Sequence, residues 1–323
     1  MKFLARYGID TYMLLLILTV CLGAVLPVSG VAADVLSTIT YCAVALLFFL
    51  YGVRLNSSEV IEGMTNWRLQ GASFAATFVF LPVLGILIAT ILSPVLGEPL
   101  TIGILFLSIL PSTINSSIAF TGMAGGNVSG AICSASMSNL IGVVLTPALA
   151  ALVLHQGGVS ISADAVVKIA TQILLPFVLG QILRRWLAPF VLRHKPLTLF
   201  VDRGSILLIV YSAFSAGTVA GIWGAIPPLT LVILFAVILG YLVITMRGVI
   251  LLGRLTLRNE RDRAALFFCG STKSLASGLP IALALFPAEM VSTTVLPLMM
   301  YHLTQLFICA VISQRMAARS RAA

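Results

Sequence analysis

The sequence predicts an all-α membrane protein of ten transmembrane helices arranged as two inverted five-helix repeats. Three observations predict it. Of the 323 residues, 60% are apolar and only 9% charged, with a mean hydropathy of +1.12. The apolar residues fall in long runs without the every-second-residue alternation of a membrane β-barrel, which argues for helices. Basic residues gather in alternate connections. An ordinary soluble domain carries roughly a quarter charged residues and less than half apolar ones. This chain cannot bury so much apolar surface in itself and keep a wettable exterior, so its outer solvent is lipid. A soluble enzyme, a nucleic-acid binder and a disordered scaffold are excluded.

A spanning helix needs about 20 mostly apolar residues. On that ruler the spans are 11–31, 36–53, 69–93, 100–122, 128–154, 165–186, 204–223, 227–252, 263–286 and 290–313. The first follows Lys2 and Arg6 and could be read as a secretory leader, but its apolar run exceeds the usual 7–15 residues of a signal core. Arg54 and Arg68 flank the connection after span two. Arg184, Arg185, Arg193, Lys195 and Arg203 crowd the one after span six, and Arg254, Arg258, Arg261 and Arg263 the one after span eight. Arg315, Arg319 and Arg321 close the chain. The opposite connections hold Asp34, Glu98, Asp164 and Glu289, with Lys168 alone at the mouth of span six. Sixteen of the 19 Lys and Arg residues thus fall on one side, which the positive-inside rule makes cytoplasmic. Both termini are then cytoplasmic, and the net charge of +9 is a topology signal that needs no nucleic acid.

Ten spans divide into two sets of five, and an odd number per set turns the second set upside down relative to the first. Span four contains Pro111-Ser112-Thr113-Ile114-Asn115-Ser116-Ser117. Span nine contains Gly270-Ser271-Thr272-Lys273-Ser274-Leu275-Ala276-Ser277-Gly278. Both stretches are poor helix. Pro111 removes a backbone donor, and Gly270 and Gly278 loosen the chain around them. Unwound backbone survives in a bilayer only where protein or a wet cavity satisfies it. Interrupted helices at matching places of two inverted halves point to a transporter's substrate site. Hydroxyl glue between helices, with glycine for close packing, is the competing reading. Ser129, Ser134, Ser136, Ser138 and Asn139 on span five read as a packing face, with Asn139 the member most worth testing.

All ten Asp and Glu residues sit in connections or at membrane edges, and no metalloprotease or serine-hydrolase motif appears. Membrane-embedded hydrolysis is not expected, and neither is a cofactor. The five cysteines form no ligand or disulfide pattern and read as small core residues. Lys273 is the exception among the charges, since an ionisable group at mid-span costs about 2.5–3.5 kcal/mol. It could bind an anionic substrate, stand in for a bound cation, or carry a proton; a side chain that snorkels to the surface is the bland alternative. Arg247 reads as a snorkelling residue. His302, with Gln305 one turn on, is either a satisfied core histidine or a pathway residue.

At these residues the chain resembles the bile acid:sodium symporter family (solute carrier family 10). Within it the likeness is to the divergent branch containing the vertebrate sodium/bile acid cotransporter 7 and bacterial relatives. It is carried by Phe49-Leu50-Tyr51-Gly52-Val53-Arg54-Leu55, by Pro111–Ser117 with Gly126-Asn127-Val128, by Leu145-Thr146-Pro147 and by Ser277-Gly278-Leu279. The resemblance implies a panel of spans 1, 2, 6 and 7 (about 11–53 and 165–223). It implies a core of the rest (about 69–154 and 227–313), with broken helices 4 and 9 crossing at the midplane. The core would move against the panel to give alternating access. The family's sodium-site positions fall at Thr77, Ser116, Ser117, Ala131, Ala135, Ser271 and Leu275. Most of those side-chain ligands are thereby lost, while Lys273 arrives beside them.

The expectation is a symporter-like carrier of a small organic anion across the bacterial inner membrane. Ser112, Thr113, Asn115, Ser116, Ser117, Asn139, Ser271, Thr272, Lys273, Ser274 and His302 would line its path. Sodium and proton both stay open as the coupling ion, the proton through Lys273. An anion channel whose selectivity the same lysine sets, or a regulatory membrane protein that keeps the fold without transport, are the alternatives.

Overall fold

In the computed structural model, which describes residues 11–54, 66–155, 167 and 170–322, a helix stands at the place of every predicted span. The helices are α1 (Thr11–Val25), α2 (Val31–Arg54), α3 (Trp67–Leu96), α4 (Glu98–Ile109), α5 (Asn115–Met123) and α6 (Val128–His155). They continue as α7 (Ala170–Arg193), α8 (Lys195–Val219), α9 (Pro228–Thr256), α10 (Glu260–Ser271), α11 (Leu275–Leu285) and α12 (Ala288–Ala322), with one further helical turn, Ile222–Ala225, between α8 and α9. No strand occurs among the described residues. Lys2, Arg6, Leu55, Asp164 and Lys168, which carried part of the sequence argument, lie outside the described residues.

Among the described residues, eight stretches are long and apolar enough to cross a membrane: α2, α3, α6, α7, α8, α9, α10 with α11, and α12. Two shorter apolar helices, Leu14–Val25 and Glu98–Ile109, complete the set. The protein is therefore a multi-pass integral membrane protein. Large apolar side chains such as Leu18, Leu87, Ile91, Leu152, Val232 and Leu255 point outward, as they must where the surroundings are hydrocarbon. Cys133, Cys269 and Cys309 are buried, but Cys21 and Cys42 are exposed on α1 and α2. In a chain with lipid outside, a small apolar residue has no reason to prefer the interior, so the expectation of five core cysteines fails for two.

Local chemistry sets the helix ends. Gly97, with φ of 76°, closes α3 where a side chain would be strained, and Pro99 opens α4. Asn259 caps α10 by accepting from the Arg261 amide, with Glu260 and Asp262 in the positive first turn. Ser274 caps α11 by accepting from Ser277 N. The break after α4 follows from Pro111, which pushes the residue before it out of the helical region; Leu110 is extended at φ −74°, ψ 154°. The break after α10 has no such cause inside it. Gly270 and Gly278, expected to loosen it, lie within helices instead. There a Cβ would sit 3.0 Å from Ala76 Cβ and 2.6 Å from Leu110 Cδ1 respectively, so both glycines serve close packing.

The two interrupted stretches are the most enclosed parts of the chain. Every residue from Leu100 to Thr113 is buried, as is every residue from Ala264 to Phe286 except Ala276 and Leu283. Helix α4 packs on α3 and α12, and α10 on α5, α6, α9 and α3. Helix α2 lies along α7, and α1 along α8. Gly52 and Gly180 face each other across the α2–α7 seam, where each lets the other helix's backbone approach.

Candidate functional site

Each break strips hydrogen-bond partners from several backbone groups, and in a buried segment all of them need replacements. The structure supplies them largely by crossing one break over the other. Ser274 N donates to Pro111 O at 2.9 Å. Ser112 Oγ donates to Cys269 O at 2.6 Å, and Ser117 Oγ to Phe268 O at 3.1 Å. Thr272 Oγ1 meets Ser117 Oγ at 2.8 Å, Ser112 Oγ at 3.1 Å and Thr113 Oγ1 at 3.2 Å. Thr113 also bonds Ser116 and Ser117. Neighbouring helices finish the accounting. From α6, Ser138 Oγ accepts from Ser112 N, Asn139 Nδ2 donates to Ser112 O, and Thr146 Oγ1 donates to Ile109 O. From α12, Tyr301 OH donates to Ser271 O.

Lys273 is 0% exposed. Its ammonium donates to Leu110 O at 2.5 Å, Ser108 O at 2.7 Å and Thr77 O at 3.0 Å. Two of these carbonyls are the unpaired end of α4, and the third lies in a five-residue π-helical turn of α3, Ala76–Phe80. Its own peptide is gripped from both sides by Gln305, whose Oε1 accepts from Lys273 N at 2.8 Å while Nε2 donates to Lys273 O at 2.9 Å. His302 Nδ1 stands 2.9 Å from Gln305 Nε2.

A cavity of about 630 Å³ lies against the crossing. One wall comes from the breaks and their supports: Thr113, Asn115, Ser116, Asn139, Ser274 and His302. The facing wall comes from α1, α2, α7 and α8, through Tyr12, Phe48, Tyr51, Phe177 and Ile206. At one end sit Arg54, Asp202 and Arg203. Arg54 binds Asp202 bidentately at 2.7 and 2.5 Å and lies 5.4 Å from the Tyr51 ring centroid, and Arg203 lies 4.9 Å from that of Tyr12.

Glue and site, the two readings of the hydroxyl clusters, divide the residues between them. Ser112, Ser117, Ser271 and Thr272 are at most 1% exposed and are spent on one another and on carbonyls. Thr113, Asn115, Ser116, Ser274, Asn139 and His302 reach the cavity, while Lys273 does not. Of the span-five series, Ser134 holds Gln70 and Ser73 of α3, whereas Ser136 lines the cavity. Thr77 offers a carbonyl. Ala131 and Ala135 are buried in an apolar cluster with Leu69, Ala265 and Cys269, and Leu275 lines the cavity.

A model of the SBF-like CPA transporter family matches residues 10–318. The chain belongs to that family. Relatives of the SBF-like chain include PA2026 of Pseudomonas aeruginosa, 46% identical over 97% of this chain and 95% of that one. YfeH of Escherichia coli, by name a candidate symporter, is 42% identical over 95% and 92%. The rat sodium/bile acid cotransporter 7 is 26% identical over 97% and 94%. This SBF-like protein is thus a transporter and not an enzyme, and it handles a solute in a lipid bilayer.

Three residues at the crossing or in the cavity lining are not marked as site residues by the sequence. In the sequence Gln305 stands out only as a neighbour of His302, Asp202 only among the connection charges, and Arg54 only as a connection charge and a member of the Phe49–Leu55 motif. A polar residue one turn from an intramembrane histidine was the available signal for Gln305; nothing in the sequence pairs Arg54 with a residue 148 positions away.

Asn139→Ala should be costly because its amide ties both breaks to α6. It donates to Ser112 O at 2.7 Å and accepts from Ser277 Oγ at 2.7 Å. Each buried group left unpaired costs about 1–3 kcal/mol. A melting temperature about 3–8 °C lower is expected in detergent, and an unchanged one would relegate this amide to a bystander.

Proposed function

We propose that this protein is a secondary carrier of a small organic anion, working by alternating access across the bacterial inner membrane. The carrying observation is the cavity between the crossed breaks and the wall of α1, α2, α7 and α8. In this reading that wall is the panel, the other helices are the core, and the substrate binds where the two face each other. The short helices Leu14–Val25 and Glu98–Ile109 count as spans one and the first half of span four, which makes ten spans in two inverted sets with both termini cytoplasmic. The charged end of the cavity then lies on the cytoplasmic side, and the conformation is open inward.

Substrate charge is read from the lining. Two guanidiniums, Arg54 and Arg203, and one carboxylate, Asp202, line an otherwise largely apolar chamber that also carries hydroxyl and amide groups. An anion with an apolar body fits that arrangement. The cavity ends at the buried crossing, which favours a carrier over a channel: Ser112, Ser117, Thr272 and Lys273 leave no exposed surface to line a through-path.

The test is a ligand screen followed by transport. Small carboxylates, sulfates and steroid conjugates are tried as thermal stabilisers of the purified protein, with and without sodium and across pH. Stabilising anions are then followed into proteoliposomes, where saturable uptake with counterflow is expected, unaffected by sodium. Asp202→Asn should lower KM for the anion by about threefold to tenfold, since it removes a negative charge close to the chamber at intermediate dielectric. A raised KM would mark the substrate as a cation, and ligand-insensitive protein with no flux would end the transport reading.

A further inference from the structure

We infer that Lys273 is a built-in cation: its ammonium fills a small monovalent-cation site made by the carbonyl oxygens of Thr77, Ser108 and Leu110, so the fold needs no free ion there. The inference does not depend on any substrate, and stands whether or not the transport reading does.

The acceptors come first. Helix α4 ends at Ile109, so the carbonyls of its last turn have no partner further along the helix and carry the negative end of its dipole. The π turn of α3 shifts the hydrogen-bond register by one residue and aims Thr77 O at the same point. Convergent carbonyls at an unwound helix end are what hard monovalent cations take in place of their water. The occupant comes second. An ammonium has three donors and no acceptor, and here the three contacts, at 2.5, 2.7 and 3.0 Å, use all of them. The charge is not paired with a carboxylate among the described residues. It is balanced by carbonyl dipoles alone, as a dehydrated alkali ion would be.

The tether comes third. Lys273 is delivered by a segment whose peptide is held by Gln305 on both faces. Binding an ion from solution costs translational freedom each time the site fills, whereas a cation attached to the chain has met that cost on folding. A proton carrier would need somewhere to send its proton. The ammonium faces only carbonyl oxygens and lies outside the cavity lining, so the geometry points to a fixed charge.

Emptying the site should convert a built-in cation into a required one. Lys273→Ala removes the ammonium and three methylenes but leaves the three carbonyls in place. Purified in detergent, the variant should melt about 5–10 °C below wild type in N-methylglucamine chloride. At equal ionic strength, sodium, potassium or methylammonium chloride should recover at least half of that loss in one case, methylammonium being the head group that was removed. Lys273→Met fills the space with an uncharged chain and should recover nothing. Wild type should melt within about 1 °C in all four salts. A Lys273→Ala protein as stable as wild type throughout, or equally destabilised in every salt, overturns the inference. If no folded variant is obtained, wild type decides: indifference to the cation supports the built-in charge, and selective stabilisation by sodium overturns it.

Discussion

Gln305→Leu is expected to lower the melting temperature by about 5–10 °C and to cut uptake more than tenfold, although Gln305 itself is fully buried. Its amide satisfies both the N–H and the C=O of the Lys273 peptide, at 2.8 and 2.9 Å. Leucine has nearly the same size and offers neither partner, so two buried backbone groups lose their bonds together at about 1–3 kcal/mol each. The lysine stem is then free to drift from the three carbonyls that its ammonium ties. Gln305→Glu separates the two halves of the clamp, because a carboxylate can still accept from Lys273 N but cannot donate to Lys273 O. It should fall between wild type and Gln305→Leu. Melting curves and initial uptake rates measured side by side check this, and a Gln305→Leu protein that keeps both would show that the break holds its shape without the clamp.

Gly180→Ala, and equally Gly52→Ala, should each destabilise the protein by about 3 kcal/mol and lower its melting temperature by about 6–12 °C. A Cβ on Gly52 would press on the carbonyl oxygen of Phe177 and come within 2.9 Å of Gln181 N. A Cβ on Gly180 would press on Phe49 O and stand 3.1 Å from Val53 N. These neighbours are backbone and cannot rotate away, so the α2–α7 seam has to open. Phe48, Tyr51 and Phe177 of the cavity wall ride on those two helices, and uptake should fall with the stability. Gly71 and Gly240 are the controls. Both sit in helices with nothing within 4 Å of a would-be Cβ, and alanine there should be neutral or stabilising, since glycine costs a helix interior about 1 kcal/mol. Equal behaviour of all four substitutions would refute the close-approach account.

The residues that carried the family likeness are explained by these contacts to differing degrees. Within Phe49-Leu50-Tyr51-Gly52-Val53-Arg54, Gly52 makes the seam, while Tyr51 and Arg54 line the cavity. Gly278 of Ser277-Gly278-Leu279 lets Leu110 close over the crossing. Asn127, just ahead of α6, donates to Asp262 at 2.7 Å and joins the start of α6 to the start of α10. What the motifs could not tell is which hydroxyls are spent. Ser112 and Ser116 look alike in sequence, yet Ser112 is consumed by Cys269 O and Thr272, and Ser116 faces the chamber.

Composition and the run lengths of apolar residues were enough to establish a multi-pass helical membrane protein, because solvation by lipid acts on every residue and leaves its mark in the average. Pro111 likewise announced the first break, since its missing amide and its effect on Leu110 are local. The second break has no local cause. It exists because carbonyls of α3 and α4, a glutamine of α12 and hydroxyls of the first break together satisfy what Thr272, Lys273 and Ser274 give up. Those partners lie 32 to 196 positions away along the chain. Only the packed structure could decide that the buried lysine faces a ring of carbonyls instead of the chamber, because the direction of a long side chain is set by whichever acceptors the fold brings within its reach.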